Sequence, residues 1–278
     1  MYPPVDPIIF AFGPFALRWY GLLMLTAILL GAWIASEQLE RQGEPGDNLW
    51  DMLIWLLVPA MLGARLYYVF IQSPRSDAGI GYYLSHPGQI LQVWQGGIHI
   101  FGAFIAGSLA LVLYCRWKKL APLKYLDAIA LALPLAQAVG RWGNFINQEL
   151  YGPPTQLPWG LLIDARHRIA PYQDLTAYPD STRFQPLFLY ESLWNFLGFA
   201  LIFWLSRRFD KQLQDGDILL MYLLWYPTGR FFIEFLRTDS WFFPGTPFNV
   251  VHILCAVAIT ISAATLWWRH GRKKTAET

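Results

Sequence analysis

Hydrophobic residues run through this chain in long blocks, not in the 3.6-residue period of a surface helix. Seven stretches, 18–36, 49–71, 97–115, 125–146, 187–206, 217–236 and 249–268, come close to the twenty or so mostly apolar residues that a membrane-spanning helix needs. Three of them hold a proline, Pro59, Pro134 or Pro227, which membrane helices tolerate better than soluble ones. Residues 3–15 are apolar and proline-rich but too short to span, and are expected to lie at the membrane interface. No internal repeat is evident. The pattern predicts an all-α integral membrane protein of seven transmembrane helices, with 1–278 as a single transmembrane domain.

The polar segments between the blocks set an orientation. Arg116, Lys118, Lys119 and Lys124 join the third and fourth stretches, Arg207, Arg208 and Lys211 the fifth and sixth, and the tail holds Arg269, Arg272, Lys273 and Lys274. Short cytoplasmic loops carry excess lysine and arginine, so these three segments belong on one side. The N-terminus is then expected outside and the C-terminus in the cytoplasm. Residues 147–186 fall outside, where Gly152-Pro153-Pro154, Pro158 and a short apolar run at 159–163 predict a small extracytoplasmic cap with a strand or two.

Composition agrees: 55% of the 278 residues are hydrophobic, 17% aromatic and 14% charged, where a soluble domain has about 25% charged residues. The net charge of +2 comes with no basic block, so no nucleic-acid partner is expected. Cys115 and Cys255 sit far apart in apolar runs and read as buried small hydrophobes, not as a disulfide or metal pair. The N-terminus lacks the basic start of a signal peptide, so the first helix is expected in the mature chain.

Orientation gives the unusual polar residues a depth. Tyr20, Arg65, Tyr68, His99, Arg141, Asn144, Tyr190, Glu191, Arg230, Glu234, Arg237 and His252 all fall at the outer level, and the inner halves contribute few. Tyr226, Arg230, Glu234 and Arg237 share one helix face, where Glu234 can pair with either arginine and leave one cation in surplus. Arg141, Asn144, Gln148 and Tyr151 share another. Taken singly, Arg65 or Arg237 reads as an arginine snorkelling to the headgroups. Tyr20 and Tyr190 read as aromatic-belt residues, and His99 and His252 as packing histidines. Asparagines do not snorkel, so Arg141 with Asn144 and Asn147 resists that reading.

Several arginines at one level invite an anion, and the nearest phosphates there belong to lipid headgroups. An arginine bound to a phosphodiester can also stabilise charge as that phosphate leaves. No Ser-His-Asp set, Walker loop, metal-ligand spacing or nucleotide fingerprint appears, so no cofactor or metal is expected. The chemistry read from these residues is direct transfer between two bound substrates, one a lipid.

The stretch 140–152, Gly-Arg-Trp-Gly-Asn-Phe-Ile-Asn-Gln-Glu-Leu-Tyr-Gly, resembles the signature of the prolipoprotein diacylglyceryl transferases at Gly140, Arg141, Gly143, Asn144, Phe145, Asn147, Glu149 and Gly152. Further blocks agree in order: Asp6-Pro7-Ile8, Arg18-Trp19-Tyr20-Gly21, Gly63-Ala64-Arg65-Leu66-Tyr67-Tyr68, Trp94-Gln95-Gly96-Gly97, Pro186 with Leu189-Tyr190-Glu191-Ser192, and 229–237. The resemblance covers nearly the whole chain. It implies transfer of the diacylglyceryl group of phosphatidylglycerol to the lipobox cysteine of a bacterial prolipoprotein, forming a thioether and releasing glycerol 1-phosphate. The place implied is the outer face of the cytoplasmic (inner) membrane, among membrane lipids. By the same resemblance Arg141 binds the lipid phosphate with Asn144 and Asn147, Arg230 holds the phosphate or the leaving group, and Glu234 orients Arg230. Tyr20, Tyr190, Glu191 and Tyr226 shape the pocket; Glu149, Gly152, Arg65 and Arg237 join the lipid site. Many relatives place a His or Tyr, proposed to act on the thiol, where this chain has Phe101. His99 lies two residues earlier, about 200° away around a helix, and can substitute only from a non-helical start. Gln185 replaces a histidine that some relatives have before Pro186. Two other readings stay open: a phospholipid-binding relative without turnover, and a non-catalytic seven-helix protein such as a transporter or receptor. The dry inner halves and the lack of a lysine in 249–268 speak against the second.

Overall fold

The computed structural model describes residues 1–3, 6–12, 15–72, 79–93, 96–243 and 245–274, so Trp94 and Gln95 of the fourth resembling block lie outside the described residues. The long helices are α1 (Trp19–Arg41), α2 (Asp47–Tyr67), α4 (Ile100–Lys118), α5 (Pro122–Ile146), α6 (Leu187–Arg208), α7 (Asp217–Glu234) and α8 (Val250–Lys274). A short helix, α3 (Gly79–Ser85), was not expected from the hydrophobic pattern. Six of the seven long helices are long and apolar enough to cross a membrane. The remaining one, α7, is apolar in its middle but carries Asp217 at one end and Arg230 and Glu234 at the other. Large side chains such as Leu29, Trp33, Ile54, Val58, Ile105, Leu109, Leu197 and Ile261 are exposed on these helices, as a surface solvated by lipid requires.

The chain forms two compact units. One comprises Ser36–Tyr125, the other Met1–Ala35 with Leu126–Thr278. In the Ser36–Tyr125 unit, α2 and α4 approach closely at two glycines. A Cβ on Gly102 would collide with the Gly63 carbonyl, and one on Gly63 with Ala106. Small residues let membrane helices come this near. After α2 a π-helical turn, Tyr68–Gln72, follows. At the far end Lys124 pairs with Glu44 at 2.9 Å.

In the other unit a β-hairpin precedes α1. Strand β1 (Ile8–Phe12) pairs antiparallel with β2 (Phe15–Arg18), and Trp19 donates to the Pro7 carbonyl at 3.1 Å. Within the segment expected at the interface, 3–15, residues 8–12 are therefore a strand with Ile8, Ile9, Phe10 and Phe12 exposed, in keeping with its β-branched and aromatic content, while Pro4, Val5, Gly13 and Pro14 lie outside the described residues. Residues 147–186 build a cap around a second small sheet, β3 (Leu161–Leu162) against β4 (Arg183–Phe184). Tyr151, Leu161, Ile163, Tyr172 and Phe184 pack as one core onto Phe145 and Ile146 of α5 and Phe188 of α6. Buried Arg168 donates to the carbonyls of Ile163, Tyr178 and Pro179, which ties the cap loop internally.

Helices α6 and α7 are locked by two tryptophans. Trp194 and Trp225 stack at 4.4 Å, and each indole donates to the other's carbonyl, at 3.2 and 3.0 Å. Each ring lies over a glycine of the facing helix: a Cβ on Gly229 would strike Trp194, and one on Gly198 would strike Trp225. At the other end of α7, Asp127 of α5 accepts from Gly216 N and Leu219 N at 2.6 and 2.8 Å, and Asp217 binds Arg269 and His270 of α8, each at 2.8 Å.

Forcing a branched side chain against that indole is expected to separate α6 from α7. Gly229→Val should cost about 1–3 kcal/mol, read as a lower thermal midpoint in detergent, and an unchanged midpoint would show that the clasp does not hold the pair.

Candidate active site

Helix α5 delivers the centre of the site and then stops. It ends at Ile146, not at Tyr151, so Gln148 and Tyr151 do not share a helical face with Arg141 and Asn144. The chain reverses instead through Gln148 and Leu150, both at φ +55°. Such left-handed residues cost about 1–3 kcal/mol each and need outside support. Gln148 receives it from the cap, where its amide donates to Asp164 Oδ2 at 2.7 Å and its carbonyl accepts from Asp164 N at 2.8 Å. Tyr2 also donates to Asp164 at 2.8 Å, and the hydrogen bonds from Gln148 and Tyr2 hold that carboxyl below its usual range. The turn is closed by Glu149 N donating to Asn144 O at 3.0 Å.

This reversal returns Glu149 to the last turn of α5. Asn144 Nδ2 donates to Glu149 Oε1 at 2.8 Å, and Asn147 Nδ2 reaches the same oxygen at 3.4 Å. Asn144 Oδ1 in turn accepts from Arg141 Nη1 at 3.3 Å. The two asparagines expected as phosphate ligands thus hold a carboxylate. Arg141 Nε pairs with Glu191 of α6, a residue only 5% exposed. Glu191 also faces Arg237 at 3.9 Å.

Helix α7 ends at Glu234, so Arg237 lies in the turn beyond the helix. Glu234 pairs with Arg230 at 2.5 Å, and Arg237 takes Asp239 in a two-pronged pair, at 2.8 and 2.5 Å. The cation surplus expected on this helix is therefore answered by Asp239, a residue that the helical spacing did not include. Burial raises the Asp239 carboxyl, but the bond and charge of Arg237 outweigh it and hold it below its usual range. The second oxygen of Glu234 accepts from Asn249 at 2.9 Å. Asn249 also caps α8, its Oδ1 accepting from Val251 N and His252 N at 2.8 and 3.1 Å. An asparagine just before an apolar run is an N-cap signal, so Asn249 was findable from sequence as a cap.

Tyrosines and glycines complete the shape. Tyr226 lies within electrostatic reach of Arg141, Glu191 and Arg230 and stacks on Tyr222 at 5.7 Å. Tyr20 is in similar reach of Glu149 and Arg141. Its ring occupies the space a Cβ on Gly143 would take, 2.6 Å away. Gly152 is required by proximity: a Cβ there would sit 2.8 Å from Gln185 Cβ and 3.0 Å from the Leu236 carbonyl, next to Arg237. Tyr190 is bonded within the cap, donating to Gln185 Oε1 at 2.7 Å and accepting from Trp159 at 3.3 Å. Among the described residues, Arg230 Nη1 is buried without a hydrogen-bond partner.

Two expected residues belong to the Ser36–Tyr125 unit. Arg65, 3% exposed, donates to the carbonyls of Gln89, Ile90, Gly96 and Gly97, so it ties together two short backbone pieces at 89–90 and 96–97. His99 sits in extended conformation as the N-cap of α4, and its Nδ1 accepts from Phe101 N at 3.4 Å. The non-helical start is thus real. The His99 ring stacks on Tyr67 at 4.9 Å and lies 5.3 Å from the Phe101 ring.

The profile described as prolipoprotein diacylglyceryl transferase matches residues 7–268. The chain belongs to the prolipoprotein diacylglyceryl transferase family. It is similar to the phosphatidylglycerol–prolipoprotein diacylglyceryl transferase of Chloroflexus aggregans, 39% identical over 98% of this chain and 92% of that protein. The protein of the same name from Streptococcus uberis is 38% identical over 97% of each chain. That from Leifsonia xyli is 43% identical over 89% of this chain and 74% of its own. In this family member the expected residues Tyr20, Arg141, Asn144, Asn147, Glu149, Glu191, Tyr226, Arg230, Glu234 and Arg237 come together in one unit, joined by the unforeseen Asp239 and Asn249.

Removing the buried partner of a largely enclosed arginine is expected to be expensive. Glu234→Ala should destabilise by about 3–5 kcal/mol, and Glu234→Gln, which can still accept from Asn249, by less. Thermal unfolding in detergent orders the two variants, and equal midpoints would show that the charge of Glu234 contributes nothing.

Proposed function

We propose that this chain transfers the diacylglyceryl group of phosphatidylglycerol to the lipobox cysteine thiol of a bacterial prolipoprotein, forming a thioether and releasing glycerol 1-phosphate. The observation that carries this reading is the gathering of Arg141 and Arg230 about Tyr226, with a buried Arg230 Nη1 that lacks a partner among the described residues. A phosphodiester supplies the acceptor such a donor needs, and it brings the negative charge that two guanidiniums favour. As the carbon–oxygen bond breaks, the phosphate gains charge, and fixed donors stabilise that change without reorganising.

In this reading Arg141 and Arg230 hold the lipid phosphate. Glu191 and Glu234 keep the two guanidiniums oriented, and Arg237 with Asp239 closes the network behind Glu191. Asn144 and Asn147 act on the headgroup through Glu149, Gly152 keeps the 236–237 backbone close, and Tyr20, Tyr190 and Tyr226 line the pocket. Arg65 is assigned to holding the backbone of Gln89, Ile90, Gly96 and Gly97, and His99, with one ring nitrogen engaged as a helix cap, to the start of α4. We further propose a single domain of seven spans, α7 included, in the bacterial cytoplasmic membrane. The N-terminus lies outside, the C-terminus in the cytoplasm, and the 147–186 cap and the site face outward. The loop charges support that orientation.

The test is to incubate the purified protein with phosphatidylglycerol and a lipobox peptide and look for the diacylglyceryl thioether by mass. Product is expected from wild type; none in an assay that works with a known transferase would refute the assignment, and lipid binding without product would mark a non-catalytic relative. Arg141→Ala is expected to lose at least about 100-fold in turnover while still inserting in the membrane, and full activity in that variant would sink its role.

A further inference from the structure

Three of the four carboxylates in the arginine cluster are neutralised by ion pairs. Glu191 faces Arg141 and Arg237, Glu234 faces Arg230, and Asp239 faces Arg237. A carboxylate so paired is a poor proton acceptor, because protonating it would strand its arginine. Glu149 differs from the other three. Among the described residues it has no ion pair, and its bonds are to neutral amides: Oε1 takes both Asn144 and Asn147. Among the described residues no hydrogen bond reaches its other oxygen, Oε2, and the residue is exposed. The amides fix the plane of the carboxyl and leave Oε2 open to an incoming group. Tyr20, on α1, lies between Glu149 and Arg141 electrostatically and is the titratable group seen to face this carboxylate from another helix.

The thiol of the second substrate carries a proton that must be removed. Phe101 has no group to take it, and His99 Nδ1 is already engaged by Phe101 N. We propose that Glu149, through Oε2, is the catalytic base that accepts the proton of the substrate thiol; the proposal rests on the function assigned above. In the step, the S–H proton moves to Oε2 as sulfur forms its bond to the diacylglyceryl carbon. The bond from that carbon to the phosphate oxygen breaks, and its electron pair stays on the oxygen of the departing glycerol 1-phosphate. The proton on Glu149 then passes to the leaving phosphate or to water, which restores the carboxylate. No electron is gained or lost overall and no co-reactant is needed. The transfer advances together with the forming carbon–sulfur bond. This is the ordinary situation of a general base.

The experiment compares wild type with Glu149→Gln, full-length in phosphatidylglycerol micelles, using a lipobox peptide and following thioether formation from pH 6 to pH 10. The glutamine keeps a carbonyl oxygen for Asn144 and Asn147 but cannot take a proton. At pH 7 its kcat is expected to fall by about 100-fold or more, with the KM for phosphatidylglycerol within a few-fold of wild type. The deficit should shrink as pH passes the thiol pKa of about 8.5, because the nucleophile then arrives already ionised. A deficit that is the same at every pH, or a loss confined to KM, would mean that Glu149 only positions the asparagines, and would overturn the assignment. Glu149→Asp guards against a glutamine variant that fails to fold: it should recover part of the lost kcat with the pH profile of wild type. An aspartate variant with no recoverable turnover, or with a pH-independent deficit, would count against the proposal. No thioether from wild type would bring down the functional reading and this assignment with it; thioether from wild type with a flat deficit brings down this assignment alone.

Discussion

A guanidinium taken out of water must be met by acceptors, and the larger unit of this protein is arranged to meet three of them. Glu191 stands between Arg141 and Arg237, Glu234 holds Arg230, and Asp239 grips Arg237 from the next turn of chain. These partners come from the ends of α5, α6 and α7 and from the turn beyond. The site exists only when those ends lie side by side, because removing one partner leaves a buried charge uncompensated. The pairing also sets what the site can do: arginines held in place by carboxylates present their remaining N–H groups in fixed directions, which suits a phosphate.

Close helix approach makes that meeting possible. The Trp194–Trp225 clasp seats each indole over a glycine of the facing helix, and Gly229 is the neighbour of Arg230. The clasp therefore sets the register of α6 on α7, and with it the position of Glu191 relative to Arg230. Gly152 does the same for the turn after α7, since a side chain there would push against the Leu236 carbonyl. Between them, Asn249 joins the cap of α8 to Glu234, so the start of one helix and the charge network of another share a single side chain.

The cap supports the signature turn. Gln148 and Leu150 adopt a backbone conformation that side chains disfavour, and Asp164 holds Gln148 there through a reciprocal pair of hydrogen bonds. The aromatic core of the cap, with Tyr151 and Phe184 in contact, rests on the last residues of α5. Strain at the turn is thus balanced by packing that lies outside it, and the return of Glu149 to Asn144 is the result.

Hydrophobic length alone determined where the long helices run, since a block of apolar residues has few alternatives to a helix in lipid. Their ends came within a few residues, and the arginines, the asparagines and Glu149 were legible as unusual polar groups near those ends. The signature at 140–152 was readable because its residues are contiguous. What the sequence could not settle was pairing. Helical periodicity placed Arg237 on the face of Glu234 and Tyr151 on the face of Arg141, but both helices stop short, so those faces end at Glu234 and Ile146. Asp239 then answers Arg237 because a turn, unlike a helix, brings residues two apart together. By type Arg65 read as a snorkelling arginine and His99 as a packing histidine, but one binds four backbone carbonyls and the other caps a helix. Composition reveals that a charge must have a partner; only the tertiary structure decides which one, because partners are chosen by distance in space and not by spacing along the chain.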